Sequence, residues 1–104
     1  MYDVSLSAQA CRDLCEIETY ISEELGNPAA AERTTDAIIE RIRCLENFPQ
    51  IGSPLQTIIE AASSYRFLVC GNYLAFYYYS GSSVFVSRIL YGKRECIKIL
   101  FDTD

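Results

Sequence analysis

The chain has 104 residues, half of them hydrophobic, with 14 acidic and 9 basic side chains and no histidine. That length supports one domain, residues 1–104, with one modest core, and so few prolines in so apolar a chain argue against disorder. A net charge of -5 excludes condensation on nucleic acid by bulk electrostatics, and the lack of histidine excludes histidine triads and histidine acid–base chemistry.

The charge is uneven. Residues 1–64 carry 11 acids and 4 bases, whereas residues 65–104 carry 3 acids and 5 bases. An anionic partner is therefore met locally, on the C-terminal side. No apolar run approaches the length of a membrane span, and Met1-Tyr2-Asp3 opens directly into strand-like sequence rather than a signal peptide. A cytoplasmic protein with no membrane contact is expected. The five cysteines, Cys11, Cys15, Cys44, Cys70 and Cys96, form no C-x-x-C pair and have no histidine to complete a zinc site. They read as small buried hydrophobes in a reducing cell, with no metal and no cofactor. Cys11 and Cys15 sit one helical turn apart, where a disulfide would strain the helix.

Tyr2-Asp-Val-Ser-Leu6 alternates as a short strand, and Ser7 is suited to cap the helix that follows. Leu14, Ile17, Ile21 and Leu25 form its apolar stripe, Asp13, Glu16, Glu23 and Glu24 its wet side, and Gly26 its left-handed end. Asn27-Pro28 caps and opens a second helix with a stripe of Ala31, Thr35, Ile38, Ile42 and Leu45. So short a link makes the two helices an antiparallel hairpin. Phe48-Pro49 closes the second helix, Gly52 and Pro54 keep the chain irregular, and Leu55 to Ser64 reads as either a helical turn or a loop.

Three runs of β-branched and aromatic residues fill Tyr65 to Tyr91, separated by Gly71-Asn72 and Gly81-Ser82 turns. This meander pairs Cys70 with Tyr73, Arg66 with Tyr77, Tyr79 with Val84, Tyr77 with Val86 and Ala75 with Arg88. Alternation then divides the side chains between two faces. Tyr65, Phe67, Val69, Leu74, Phe76, Tyr78, Phe85, Ile89 and Tyr91 make the face expected beneath the helices. Arg66, Leu68, Tyr73, Tyr77, Tyr79, Val86, Arg88 and Leu90 make the open one, with two guanidinium groups among phenols. Such a surface reads either as a binding site or as arginine stems laid over apolar neighbours with their heads in water. After Tyr91, Gly92-Lys-Arg-Glu95 is a basic turn, and an apolar tail follows as a short C-terminal helix or docked extension. The expected fold is α+β, β-α-α-β-β-β, with a helical hairpin on one face of a small antiparallel sheet that the first strand joins. Arginine can stabilise phosphorane charge in metal-free RNA cleavage, and Tyr with Arg equally suits a protein-docking surface.

Several segments, in this order and spacing, resemble the RelE/ParE superfamily of type II toxin–antitoxin toxins. They are Asp13-Leu-Cys-Glu-Ile-Glu-Thr-Tyr-Ile21, Asn27-Pro-Ala-Ala-Ala-Glu-Arg33, Leu45-Glu-Asn-Phe-Pro49 with Gly52, Tyr65-Arg-Phe-Leu-Val69, Gly71-Asn-Tyr-Leu-Ala-Phe-Tyr77 and Leu90-Tyr-Gly-Lys-Arg-Glu95. The resemblance implies a toxin neutralised by a cognate antitoxin in a hetero-oligomer. Asn72-Tyr-Leu-Ala-Phe-Tyr77 and the Asn-Pro-linked hairpin are similar to the ParE branch, whose members poison DNA gyrase. The residues expected to bind target or substrate are Arg66, Tyr73, Tyr77, Arg88, Tyr91, Lys93 and Arg94. The alternative is the RelE branch, a ribosome-dependent mRNA endoribonuclease, which implies catalysis by Arg66, Arg88 and Arg94. Tyr73 stands where that branch places a catalytic arginine, and the tail Ile99, Leu100 and Phe101 offers no acid–base group. A third possibility is a degenerate module that only binds its antitoxin.

Overall fold

The computed structural model describes residues 1–54 and 65–92. In chain order it contains β1 (Asp3–Leu6), α1 (Ala8–Thr19), a π-helical turn (Tyr20–Glu24), α2 (Pro28–Arg43), a 3-10 turn (Cys44–Glu46), β2 (Ser53–Pro54), β3 (Arg66–Cys70), β4 (Tyr73–Ser80) and β5 (Ser83–Tyr91). The α+β class and the helical hairpin are as expected. The sheet is larger than expected and mixed, in the order β1-β5-β4-β3-β2. β1 lies parallel to β5, with Asp3 opposite Ser83 and Leu6 opposite Val86. β2, in a stretch expected to be irregular, pairs with Arg66 and Phe67 of β3. The expected C-terminal helix and the Leu55 to Ser64 stretch lie outside the described residues.

Local chemistry sets the helix ends. Ser7 Oγ accepts the Ala10 N–H at 3.0 Å and donates to the Ser87 carbonyl at 2.8 Å, so the cap also ties α1 to β5. Asn27 Oδ1 accepts the Ala30 N–H, Pro28 occupies the first turn, and Gly26 adopts φ 62°. The α2 stripe holds: Ala31, Ile38, Ile42 and Leu45 are buried. The α1 stripe holds up to Ile21 and then fails, because Leu25 is 59% exposed. The π turn is the cause. Leu25 N–H bonds to the Tyr20 carbonyl, and one additional residue in a turn rotates the following side chain by about 100°.

The first hairpin has the expected register, Cys70 opposite Tyr73 and Arg66 opposite Tyr77. The second has it only from the turn to Tyr77 and Val86. There a β-bulge leaves Ser87 without an opposite residue, so Phe76 faces Arg88 and Ala75 faces Ile89, not Arg88. The helices also cover the face expected to be open. Leu68, Cys70, Ala75, Tyr77, Val84, Val86 and Ile89 form the core with Ala10, Ile38, Ile42 and Leu45. Small and branched side chains let helices approach this face closely. The aromatic face lies on the other side of the sheet, where Phe76 is fully buried as expected and the other rings are half-buried or exposed and pack on one another. Tyr65 and Tyr78 meet edge-to-face at 5.4 Å, and Tyr78 stacks on Phe85 at 5.2 Å. Ile89, assigned by simple alternation to that outer face, is carried into the core by the bulge.

Beyond Val86, α1 takes the place of a neighbouring strand along the β1 side of β5. Ser7 N–H bonds to the Val86 carbonyl, and the Asp13 carboxylate accepts the Ile89 N–H at 2.9 Å. Asp13 was expected on the wet side of α1 but is 4% exposed. It also accepts Arg88 Nε at 2.9 Å, Arg88 Nη2 at 3.1 Å and the Gln9 amide at 3.1 Å. Burial pushes its carboxyl pKa up, but the Arg88 hydrogen bond, the Ile89 N–H, Gln9 and the Arg88 charge together outweigh burial and hold it below the ordinary value. The cysteines need a correction too: Cys70 is buried, but Cys11, Cys15 and Cys44 are exposed.

A second tie holds the chain after α2. The buried Tyr77 hydroxyl donates to the Pro49 carbonyl at 2.6 Å and accepts the Gly52 N–H at 3.0 Å. A Cβ on Gly52 would lie 2.5 Å from that hydroxyl, so only glycine allows the approach.

Asp13→Ala leaves the partly buried Arg88 and the buried Ile89 amide unpaired, and should cost about 2 to 4 kcal/mol in urea unfolding. Because the Asp13 pKa is depressed on folding, its contribution is complete above the unfolded carboxyl value near pH ~4 and is lost as pH falls through the lower folded value. Asp13→Asn should therefore flatten the acid limb of the stability–pH curve. Tyr77→Phe, which strands two buried backbone groups, should cost about 1 to 3 kcal/mol in the same measurement.

Candidate functional site

Between the helical hairpin and the β3–β4 end of the sheet lies a groove of about 1200 Å³. The π turn contributes Tyr20, Ile21 and Leu25. Helix α2 contributes Ala30, Arg33, Thr34, Ala37 and Arg41, and the β3–β4 turn contributes Val69, Cys70, Gly71 and Asn72. Tyr73 and Tyr91, opposite each other on β4 and β5, line the remaining wall. The local sequence accounts for the opening. Alanines at 30 and 37 present little bulk, and the π turn swings Leu25 off the core and toward the rim.

Among the described residues the lining has two guanidinium groups and no carboxylate. Arg33 and Arg41 lie two helical turns apart on the same side of α2, and Arg41 Nε donates to the Val69 carbonyl at 3.2 Å. In a chain of net charge -5 this is a local concentration of positive charge. The Tyr73 phenol is neutral. Burial, then the neighbouring Tyr91 and Tyr20, raise the Tyr73 pKa above the ordinary phenol value. Tyr73 meets Tyr91 edge-to-face at 5.6 Å. Cys70 is a protonated thiol: burial pushes its pKa up to about 11 against the opposing charge of Arg41. The groove is thus apolar, aromatic and cationic. Such chemistry suits a binding surface, and among the described lining residues the Cys70 thiol and the Tyr73 phenol are both held protonated.

Of the residues named from the sequence, Tyr73 and Tyr91 come together here, and Tyr91 is 51% exposed. Arg66 does not join them. Its Nη1 donates to the Gly52 carbonyl at 2.7 Å and the Gln50 carbonyl at 3.3 Å, and its guanidinium lies 6.0 Å from the Tyr79 ring centroid. Arg88 is committed to Asp13. The expected open surface shared by Arg66 and Arg88 is therefore not formed, because the helices cover that face and the bulge redirects Arg88. Tyr77 is fully buried in the core and presents nothing to a macromolecule. Lys93 and Arg94 lie outside the described residues. Tyr20, Arg33 and Arg41 were missed, although the spacing of four from Arg33 to Ala37 to Arg41 marks one side of α2 in the sequence.

No described helix is long and apolar enough to cross a membrane. No curated protein matches the chain. Among solved structures it is similar to a chain of the chromosomal ParDE TA system from P. aeruginosa, with TM-score 0.75 and 19% identity, over 89% of this chain and 98% of that one. At that identity the likeness is one of fold. In sequence, residues 4–96 match the family described as ParE toxin of type II toxin-antitoxin system, parDE. That match runs from β1 to beyond β5, and on it the chain belongs to the ParE toxin family of type II toxin–antitoxin systems.

Proposed function

We propose that this toxin arrests growth by binding and poisoning DNA gyrase, and that a cognate antitoxin neutralises it in a hetero-oligomer. The family match over residues 4–96 is the observation that carries this reading. The fold shared with a chain of a ParDE system supports the antitoxin partner. The chemistry of the groove agrees with binding rather than hydrolysis. Its thiol and Tyr73 phenol are neutral, and two of the three arginines a ribonuclease would need, Arg66 and Arg88, are engaged within the fold.

The groove is the surface we assign to the antitoxin. A cationic lining with three tyrosines suits a segment carrying acidic side chains beside apolar anchors, since Tyr and Arg are the residues that most often dominate interface energies. Rim charges act mainly through encounter and salt dependence, whereas the aromatic wall carries the buried contact.

Purified toxin should inhibit supercoiling by gyrase and trap cleaved DNA, and its induction should produce DNA-damage signalling and filamentation. Unimpaired gyrase together with early translation arrest and A-site cuts in mRNA would replace this reading with the ribonuclease. No growth effect with retained antitoxin binding would replace it with the degenerate module. In calorimetric titration of the antitoxin, Arg33→Glu with Arg41→Glu should weaken binding by about tenfold or more, ~1.4 kcal/mol, and reduce its salt dependence. Tyr91→Ala should cost about 1 to 2 kcal/mol with little change in salt dependence.

A further inference from the structure

We propose that Cys11 and Cys15 form a two-thiolate site for a soft, two-coordinate d10 cation, Cu(I). Both are free, exposed thiols within α1 (Ala8–Thr19), at positions i and i+4. Neither lines the groove. The site is therefore independent of the gyrase and antitoxin readings.

Distances decide what this pair can do. Side chains four apart on a helix have Cβ atoms about 5 to 6 Å apart. A disulfide requires about 3.5 to 4.5 Å, so oxidation within the pair would distort the helix. Two metal–sulfur bonds of about 2.3 Å in line separate the sulfurs by about 4.6 Å, which an undistorted helix accommodates. The helix is also held in place, because Ser7 and Asp13, on the same helix or its cap, are bonded to β5. The two exposed thiols are therefore carried one turn apart on a fixed helix.

The donor set selects the ion. Thiolates favour soft metals, and structural zinc and iron–sulfur clusters take four ligands. Among the described residues no group of three or more histidine, cysteine or carboxylate side chains is placed to hold a metal. Two thiolates in line match Cu(I). On binding, two S–H bonds break and two S–Cu bonds form. Two protons leave to solvent, copper remains Cu(I), and no electron is transferred. Cys44, also exposed, has Glu40 and Phe48 one turn away on either side and donates its Sγ–H to the Glu40 carbonyl at 3.7 Å, so it has no thiol partner on its helix.

The test is anaerobic titration of the full, reduced chain with Cu(I) against a chromophoric Cu(I) chelator, with thiol counting by a disulfide reagent and helicity by circular dichroism. One equivalent should bind, protect two thiols and leave helicity unchanged. Cys11→Ser and Cys15→Ser should each lower affinity by about a hundredfold or more, the loss of the chelate effect. Cys44→Ser and Cys96→Ser should bind as the parent does. Wild-type affinity in either Cys11→Ser or Cys15→Ser, loss of binding in Cys44→Ser or Cys96→Ser, or no binding by the parent chain would each overturn the proposal.

Discussion

One carboxylate holds the two layers of this protein in register. β5 is 9 residues long and β1 only 4, so much of the β1 side of β5 has no strand to pair with. An unpaired buried amide is costly, and Asp13 removes that cost for Ile89. The same carboxylate neutralises Arg88, which the bulge places opposite Phe76. Each group makes the burial of the other tolerable. Either alone would be an uncompensated charge or donor between helix and sheet. Charge pairing here sets position more than it adds net stability, because it fixes where along β5 the helix sits.

The rest of the architecture follows from that anchor. α1 is pinned to β5 through Ser7 and Asp13, and α2 packs on the sheet through Ile38, Ile42 and Leu45. Beside these contacts, the π turn and the small residues of α2 leave the groove between Arg33, Arg41 and the Tyr73–Tyr91 pair. The sequestered Arg88 and the available groove both follow from how the helical hairpin docks on the sheet.

Much of this was legible in the residues. Ser7, Gly26, Asn27-Pro28 and the glycines of both turns mark chain positions by local chemistry that tertiary packing did not alter. The α2 stripe and the first hairpin register were equally direct. What escaped were long-range effects. One additional residue at Ser87 shifts every later side chain of β5, and nothing in Val86-Ser-Arg-Ile89 announces it without the partner strand. The face under the helices was misjudged because aromatic side chains were weighted by hydrophobicity. Close helix approach instead favours Ala75, Val84 and Val86, and the aromatic rings pack among themselves. Leu25 left its stripe through a π turn that uses ordinary helix-forming residues. Asp13 looked like one more solvated acid until β5 was placed beside it.

Amide hydrogen exchange at Ile89 reads the central contact directly, since that N–H has the Asp13 carboxylate as its acceptor. In the native chain it should be protected as strongly as the core amides of β4, and Asp13→Asn should remove much of that protection while leaving the β3–β4 hairpin amides slow. An Ile89 amide that exchanges in the native chain as fast as those of the exposed turns would show that the carboxylate does not hold helix and sheet together.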